Sequence, residues 1–270
     1  MTLSLLEQIG HKPSQKLGQN FLIDSNIVRK SLELAEIKSG DEVVEVGPGL
    51  GTLTGALLAA SARVWAVELD KKLFGHIQRT FEGNPSLDII NADAVDSPLG
   101  ALPENISDFK IVSNLPYAIS TPWLDKVLSG RLPLAMSLML QKEAAMRFAA
   151  KKASGDFSPI SIFLNSAYAA SAIHKVSAAC FYPRPKVDSV LLALKLKPDA
   201  YIFAPETKEL VRKIFSRRRK QIISTAKDLQ NPCALEWIES ATSFKPESRS
   251  ETIDIAEWQR LDTIIKKANA

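Results

Sequence analysis

Ser113-Asn114-Leu115-Pro116-Tyr117 sets an amide, a proline and an aromatic ring directly behind the apolar stretch Phe109-Lys110-Ile111-Val112. That is the order expected where a buried strand opens into an active-site loop. The Asn114 side chain can accept a hydrogen bond, Pro116 stiffens the turn, and Tyr117 offers a face for stacking. Together these groups suit a flat nucleobase held by its amino group. The same residues could equally form a plain turn with a core aromatic, so their meaning depends on what lies upstream.

Upstream, Glu45-Val46-Gly47-Pro48-Gly49-Leu50-Gly51-Thr52 places glycines at alternate positions after a strand and before a helix. Without side chains the backbone can approach a ligand closely. No Gly-Lys-Ser/Thr follows, so this is not a phosphate-cradling loop, and the spacing differs from the dinucleotide G-x-G-x-x-G. Glu68 stands about 20 residues further on, at the end of the second strand, where a carboxylate can accept both hydroxyls of a ribose. Asp93, at the end of the third strand, could accept from an adenine amino group or cap a helix. In register, these groups favour an adenosine cofactor without phosphates, and S-adenosylmethionine meets that description.

These residues need a scaffold that brings strand ends together. Val43–Val46, Val64–Val67, Leu87–Ile90, Lys110–Ser113 and Leu134–Gln141 read as strands, separated by helical patterns through Leu53-Leu57-Leu58 and Leu73-Ile77-Phe81. Strands alternating with helices imply parallel βαβ units, and ligands bind at the carboxyl ends of such strands. Gly47, Glu68, Asp93 and Asn114 each fall just after a predicted strand. Further on, 173–181 and 187–196 read as an antiparallel pair joined by 182–186. From Pro198 the pattern turns polar and helical, broken by Pro205, Pro232 and Pro246. The expected fold is α/β, with a mostly parallel sheet, a terminal antiparallel strand and a small C-terminal α-helical domain. The expected division is 1–197 and 198–270, the first domain carrying a basic N-terminal arm.

With 46% hydrophobic and 24% charged residues, the chain has the balance of an ordinary globular protein. Its apolar runs are too short to span a bilayer and the N-terminus lacks a signal-peptide pattern, so a cytoplasmic location is expected. Two cysteines, Cys180 and Cys233, and three histidines share no metal-ligand spacing, so no metal site is expected. The net charge of +4 permits an acidic partner without requiring one. The positive charge is concentrated between Lys208 and Lys227. On a continuous helix Lys213, Arg217 and Lys220 would share one face, and with Arg218 and Arg219 they are candidate RNA phosphate contacts. His11, Lys12 and Lys16 in the arm could add to them or close over the site.

Six segments in order resemble the small-subunit rRNA adenine N6-dimethyltransferases: 16–22, 44–54, 67–70, 114–122, 139–143 and Phe181-Tyr182-Pro183-Arg184-Pro185-Lys186-Val187-Asp188-Ser189. The resemblance runs from about residue 11 to about 260 and implies a Rossmann-like class I methyltransferase domain. It implies dimethylation of two adjacent adenines near the 3′ end of small-subunit (16S) rRNA, late in subunit assembly, by a monomer using S-adenosylmethionine. By position, cofactor contacts carry to Asn20, Leu22, Gly47, Glu68, Asp93 and Asn114, with Gly49 in the same turn. Target-base contacts carry to Asn114, Leu115, Tyr117 and Phe181, with Pro116 fixing their geometry. Where the family often has Tyr-Gly-x-Leu-Ser-Val and a later Gln, this chain has Phe157-Ser158-Pro159-Ile160-Ser161-Ile162 and Asn165, so no contact carries over from that stretch. Two other readings stay open: a large-subunit (23S) rRNA methyltransferase of the macrolide-resistance type, and a non-catalytic RNA-binding assembly factor on the same fold.

Overall fold

The computed structural model describes residues 2–241 and 243–269. They form two compact units: the chain up to Ala145 together with Ala169–Leu196, and Met146–Tyr168 together with the chain from Lys197 onward.

The first unit opens with a short helix, α1 (Thr2–Gln8), and a two-residue strand, β1 (Phe21–Leu22). α2 (Ser25–Leu34) starts where the Asp24 carboxylate accepts from the N–H groups of Asn26 and Ile27. The expected alternation follows: β2 (Glu42–Val46), α3 (Thr52–Ala59), β3 (Arg63–Glu68), α4 (Lys71–Thr80), β4 (Leu87–Asn91), β5 (Lys110–Asn114), α5 (Ser120–Val127) and β6 (Ala135–Gln141). Val43, Val44, Val64, Ala66, Ile111 and Val112 are fully buried. Such continuous apolar runs are what strands covered on both faces require.

β2 pairs in parallel with β3 on one side and with β5 on the other, and β4 and β6 extend the two flanks, also in parallel. The order of connection therefore reverses between β2 and β5, and a crevice opens outside their carboxyl ends. The Ser113 hydroxyl donates to the Val46 carbonyl at 2.7 Å and ties those two strand ends together.

After β6 come α6 (Lys142–Phe148), α7 (Pro159–Ala167), β7 (Tyr168–Val176), β8 (Phe181–Tyr182) and β9 (Ser189–Leu196). β9 is antiparallel to β6, and the full order is β4-β3-β2-β5-β6-β9-β7. The strand expected over 173–181 ends early, at Val176. The Ser177 hydroxyl accepts from the Ala179 N–H and turns the chain, and Phe181 and Tyr182 then pair with β1 rather than with β9. Pro183 and Pro185, which have no N–H, could not continue a ladder.

The second unit is helical: α7, α8 (Pro205–Phe215), α9 (Ile222–Leu229), α10 (Pro232–Glu239) and α11 (Ile255–Ala268). Pro205 and Pro232, expected as breaks, sit in the first turns of α8 and α10. There a missing N–H costs nothing. Rings of Phe157, Phe215, Trp258 and Trp237 follow one another at centroid spacings of 6.3, 5.7 and 5.0 Å. The buried Asp262 carboxylate accepts from the Tyr201 hydroxyl, the Ala204 N–H and Lys266. Burial alone would raise its pKa, but these donors hold it below the usual carboxylate range.

The segment 146–168, expected within the first domain, belongs to this helical unit. Phe157 and Phe163 lie against Phe215 and Phe203, and Asn165 donates to the carbonyls of Ala150 and Ser161. The residues that depart from the family pattern are thus core and scaffold of the second unit.

Candidate active site

The glycine turn closes the crevice from below. Gly47 leaves β2 with a positive φ of 66°, and its N–H donates to the Val67 carbonyl. A Cβ added at Gly47 would stand 3.2 Å from Pro116 Cγ, so the turn and the Asn-Leu-Pro-Tyr loop pack without a side chain between them. Phe21 lies over the turn from the arm side, and Leu22 beside it is buried.

Three carboxyl groups face this turn. Glu68, at the end of β3, is 6% exposed. One oxygen accepts from the Gly49 N–H at 3.1 Å, the other from the Asp70 N–H at 2.9 Å. Burial pushes its pKa up, and the Asp70 and Gly49 donors oppose that. Asp93 accepts from the Val95 N–H through one oxygen and so caps a turn, not the helix that its sequence context offered. Glu45 was not assigned a role from the sequence. It is almost fully buried in β2, lines the crevice and accepts from the Thr54 hydroxyl at 2.7 Å. Burial pushes its pKa to about 8, with the Thr54 hydroxyl opposing and Glu68 reinforcing, so at neutral pH it is mostly the neutral acid. Its signal in the sequence was an acidic residue inside an otherwise apolar strand.

Asn114 ends β5. Its amide nitrogen donates to the backbone carbonyl of Asn20 at 2.9 Å, which leaves the side-chain oxygen as an acceptor. Leu115 is buried and anchors the loop. The Ile119 N–H donates to the Pro116 carbonyl across the turn that carries Tyr117. The Tyr117 hydroxyl is 2.7 Å from that of Ser189, which comes from the first residue of β9 and is fully buried. Burial raises the Tyr117 pKa, and Ser189 partly offsets this.

One crevice brings together Asn20, Leu22, Gly47, Gly49, Glu68, Asp93, Asn114, Leu115, Pro116 and Tyr117. It holds about 1050 Å³ of free space including its open mouth. Its lining carries the acids Glu45, Glu68 and Asp93 and the single cation Lys16. With Glu45 largely neutral, the carboxylates Glu68 and Asp93 still outnumber Lys16, which suits a cationic, phosphate-free adenosine cofactor over nucleotide phosphates, so S-adenosylmethionine fits. Phe181 does not join the crevice. It is 3% exposed and packs in the core with Leu22, Val28 and Val176, an apolar side chain on the inner face of β8.

The sequence matches the ribosomal RNA adenine dimethylase family over residues 10–267. The chain belongs to that family. It is 50% identical, over 96% of both chains, to the ribosomal RNA small subunit methyltransferase A of Opitutus terrae. It is 33% identical to the enzyme of the same name from Moorella thermoacetica, over 98% of this chain and 96% of that one. Among solved structures, a dimethyladenosine transferase from Plasmodium falciparum superimposes with a TM-score of 0.74 at 26% identity, covering 92% of this chain and 98% of the other. The 23S rRNA methyltransferase ErmE shares the fold, with a TM-score of 0.66 at 22% identity over 92% of this chain and 100% of that one.

In this dimethylase the expected basic helix face does not form. α8 ends at Phe215, and Arg217, Arg218, Arg219 and Lys220 occupy the turn before α9. Arg218 donates to the carbonyls of Gly155 and Ser154 and pairs with Glu251, so it is tied into the unit. Arg217 and Lys220 share Asp228, Lys213 pairs with Glu209, and Lys208 is buried over the Phe163 ring. Arg219 is exposed. In the arm, His11 is buried and meets Gln19, so it is an internal group rather than an RNA contact. No helix is long and apolar enough to cross a membrane among the described residues. No group of potential metal ligands is assembled among them either.

Proposed function

We propose that this protein uses S-adenosylmethionine to methylate N6 of two adjacent adenines near the 3′ end of small-subunit (16S) rRNA, giving dimethyladenosines. It acts in the cytoplasm as a monomer on RNA already within an assembling small subunit. Family membership supports the reaction, and the orientation of the Asn114 amide is the observation that carries its assignment to this site.

An exocyclic adenine amine is a weak nucleophile because its lone pair is delocalised into the ring. Acceptors fixed beside its N–H groups favour a pyramidal nitrogen with a localised pair. Asn114 presents such an acceptor because the Asn20 carbonyl occupies its nitrogen, and the Leu115 carbonyl supplies the second. Tyr117, held at its hydroxyl by Ser189, offers a fixed ring for the base, a contact worth roughly 1–3 kcal/mol. Gly47, Gly49, Asn20 and Leu22 shape the cofactor cradle, Glu68 takes the ribose hydroxyls and Asp93 the adenine amine. S-adenosylmethionine supplies an electrophilic methyl group on a sulfonium. The chain's part is chiefly positioning, which can account for much of a barrier. The alkylated amine is acidic and sheds its proton to water, so no strong base is needed.

The test is to incubate the protein and labelled cofactor with unmethylated small subunits and, separately, with large-subunit rRNA, and to map the labelled nucleotide. Label on the two adjacent small-subunit adenines is expected. Label on large-subunit rRNA alone would replace the substrate, and no label on either would remove the catalytic reading. Folded Asn114→Ala protein should lose at least about 100-fold in rate. Near wild-type turnover would take Asn114 out of the mechanism.

A further inference from the structure

Asn114 owes its orientation to one backbone carbonyl, that of Asn20, which ends an arm with little regular structure just before β1. The side chain of the preceding residue, Gln19, holds that arm in place. Its oxygen accepts from the Ser14 N–H at 2.7 Å and from His11 Nε2 at 3.0 Å, which gathers the arm around it. Its nitrogen donates to the Asp70 carboxylate at 3.1 Å. Asp70 is itself fixed. Its other oxygen caps α4, accepting from the N–H groups of Lys72 and Leu73, and its own N–H donates to Glu68. Lys72 adds a bond to the Gly10 carbonyl. Hydrogen bonds thus run from Gly49 through Glu68 and Asp70 to the Gln19 side chain, and the backbone carries the connection on to the Asn20 carbonyl that orients Asn114.

We propose that Gln19 is a positioning residue: its amide latches the arm to Asp70 and thereby keeps the Asn114 oxygen, not its nitrogen, toward the target amine. This rests on Asn114 being the amine's acceptor. Without the latch the Asn20 carbonyl loses its place, and the Asn114 amide is free to rotate by half a turn. It would then present N–H groups to the N–H groups of the base. Such a change costs turnover rather than substrate affinity, because the crevice itself stays intact.

The donor and acceptor across the latch can be reversed, which separates positioning from plain packing. Gln19→Glu sets two carboxylates against each other, and Asp70→Asn sets two amide nitrogens against each other while keeping the helix cap. Combined, the two substitutions restore one donor and one acceptor. Each single variant should lower kcat by about tenfold or more with KM for rRNA little changed, and the pair should recover most of it. In protein without RNA, hydrogen exchange at the Asn114 side-chain amide, followed by NMR, should speed up several-fold in each single variant and slow again in the pair. Unchanged Asn114 exchange in folded single variants would overturn the latch, as would failure of the pair to restore it. If Gln19→Glu does not fold, Asp70→Asn alone carries the comparison. If the wild-type protein methylates no small-subunit RNA, the proposed function falls, and the exchange data still decide the latch.

Discussion

At the scale of single residues, several polar side chains of the site spend one end on the protein and leave the other for a ligand. Asn114 gives its nitrogen to Asn20, Asp93 gives one oxygen to Val95, and Tyr117 gives its hydroxyl to Ser189. The last of these yields a double-substitution prediction. Ser189→Ala removes the partner of a half-buried phenol and loosens the ring, so single-turnover methylation should slow by a few-fold. Adding Tyr117→Phe removes the orphaned hydroxyl, so the double variant should be faster than Ser189→Ala alone. Simple additivity of the two single effects would mean that Ser189 does not hold Tyr117. Ser189 was visible in the sequence only as the end of a motif. Its role depends on β9 lying beside β6, which places it 72 positions from its partner. Phe181 is the opposite case, since an apolar ring beside prolines carries no mark of which side it will face.

Among the elements, the glycine turn joins β2 to α3 and also meets α4. Gly51 precedes α3 with a φ of 81°, and a Cβ there would stand 2.9 Å from Ile77 Cδ1 and from the Phe81 ring. Gly51→Ala therefore combines a left-handed backbone with overpacking, at about 2–4 kcal/mol. Calorimetry should show the melting temperature of the first unit falling by roughly 5–10 °C. A variant melting with the wild type would mean that α4 yields without cost. The strands were legible because buried parallel strands must be apolar throughout. The basic segment was not. Arginine and lysine favour helix, but the backbone carbonyls of Ser154 and Gly155 and the carboxylate of Glu251 recruit Arg218 instead. Tertiary contacts follow the end of α8 and hold the Arg217–Lys220 run in a turn, not a helix.

Across the whole molecule, a net charge of +4 is too small to draw RNA by itself, so the distribution of charge matters. Most cations of the 208–227 segment already have internal partners; at the turn Arg219 is exposed, and so is Lys220 although it pairs with Asp228. If they meet phosphates, replacing both with alanine should reduce the slope of log affinity against log salt by about 1–2 for an unmethylated small-subunit rRNA fragment. An unchanged slope would remove this turn from the RNA-binding surface. Arg218→Ala should instead lower the thermal stability of the helical unit. The division of the chain follows the same logic of partners. Nothing in the composition of 146–168 separates it from the sheet region before it. Its aromatic rings belong to the second unit because Phe203 and Phe215 are there to meet them.

The sequence by itself determined the strand–helix alternation, the glycine turn, the acids at the strand ends and the Asn-Leu-Pro-Tyr loop. All of these are set by local backbone geometry and by the period of burial, which neighbouring residues are enough to specify. Only the tertiary structure decided which atom of Asn114 meets the Asn20 carbonyl, that Ser189 meets Tyr117, that Phe181 is core, and which arginines are already engaged. Each of those outcomes depends on a partner far along the chain. The Asn20 carbonyl is 94 positions from Asn114, and no local pattern records that they meet.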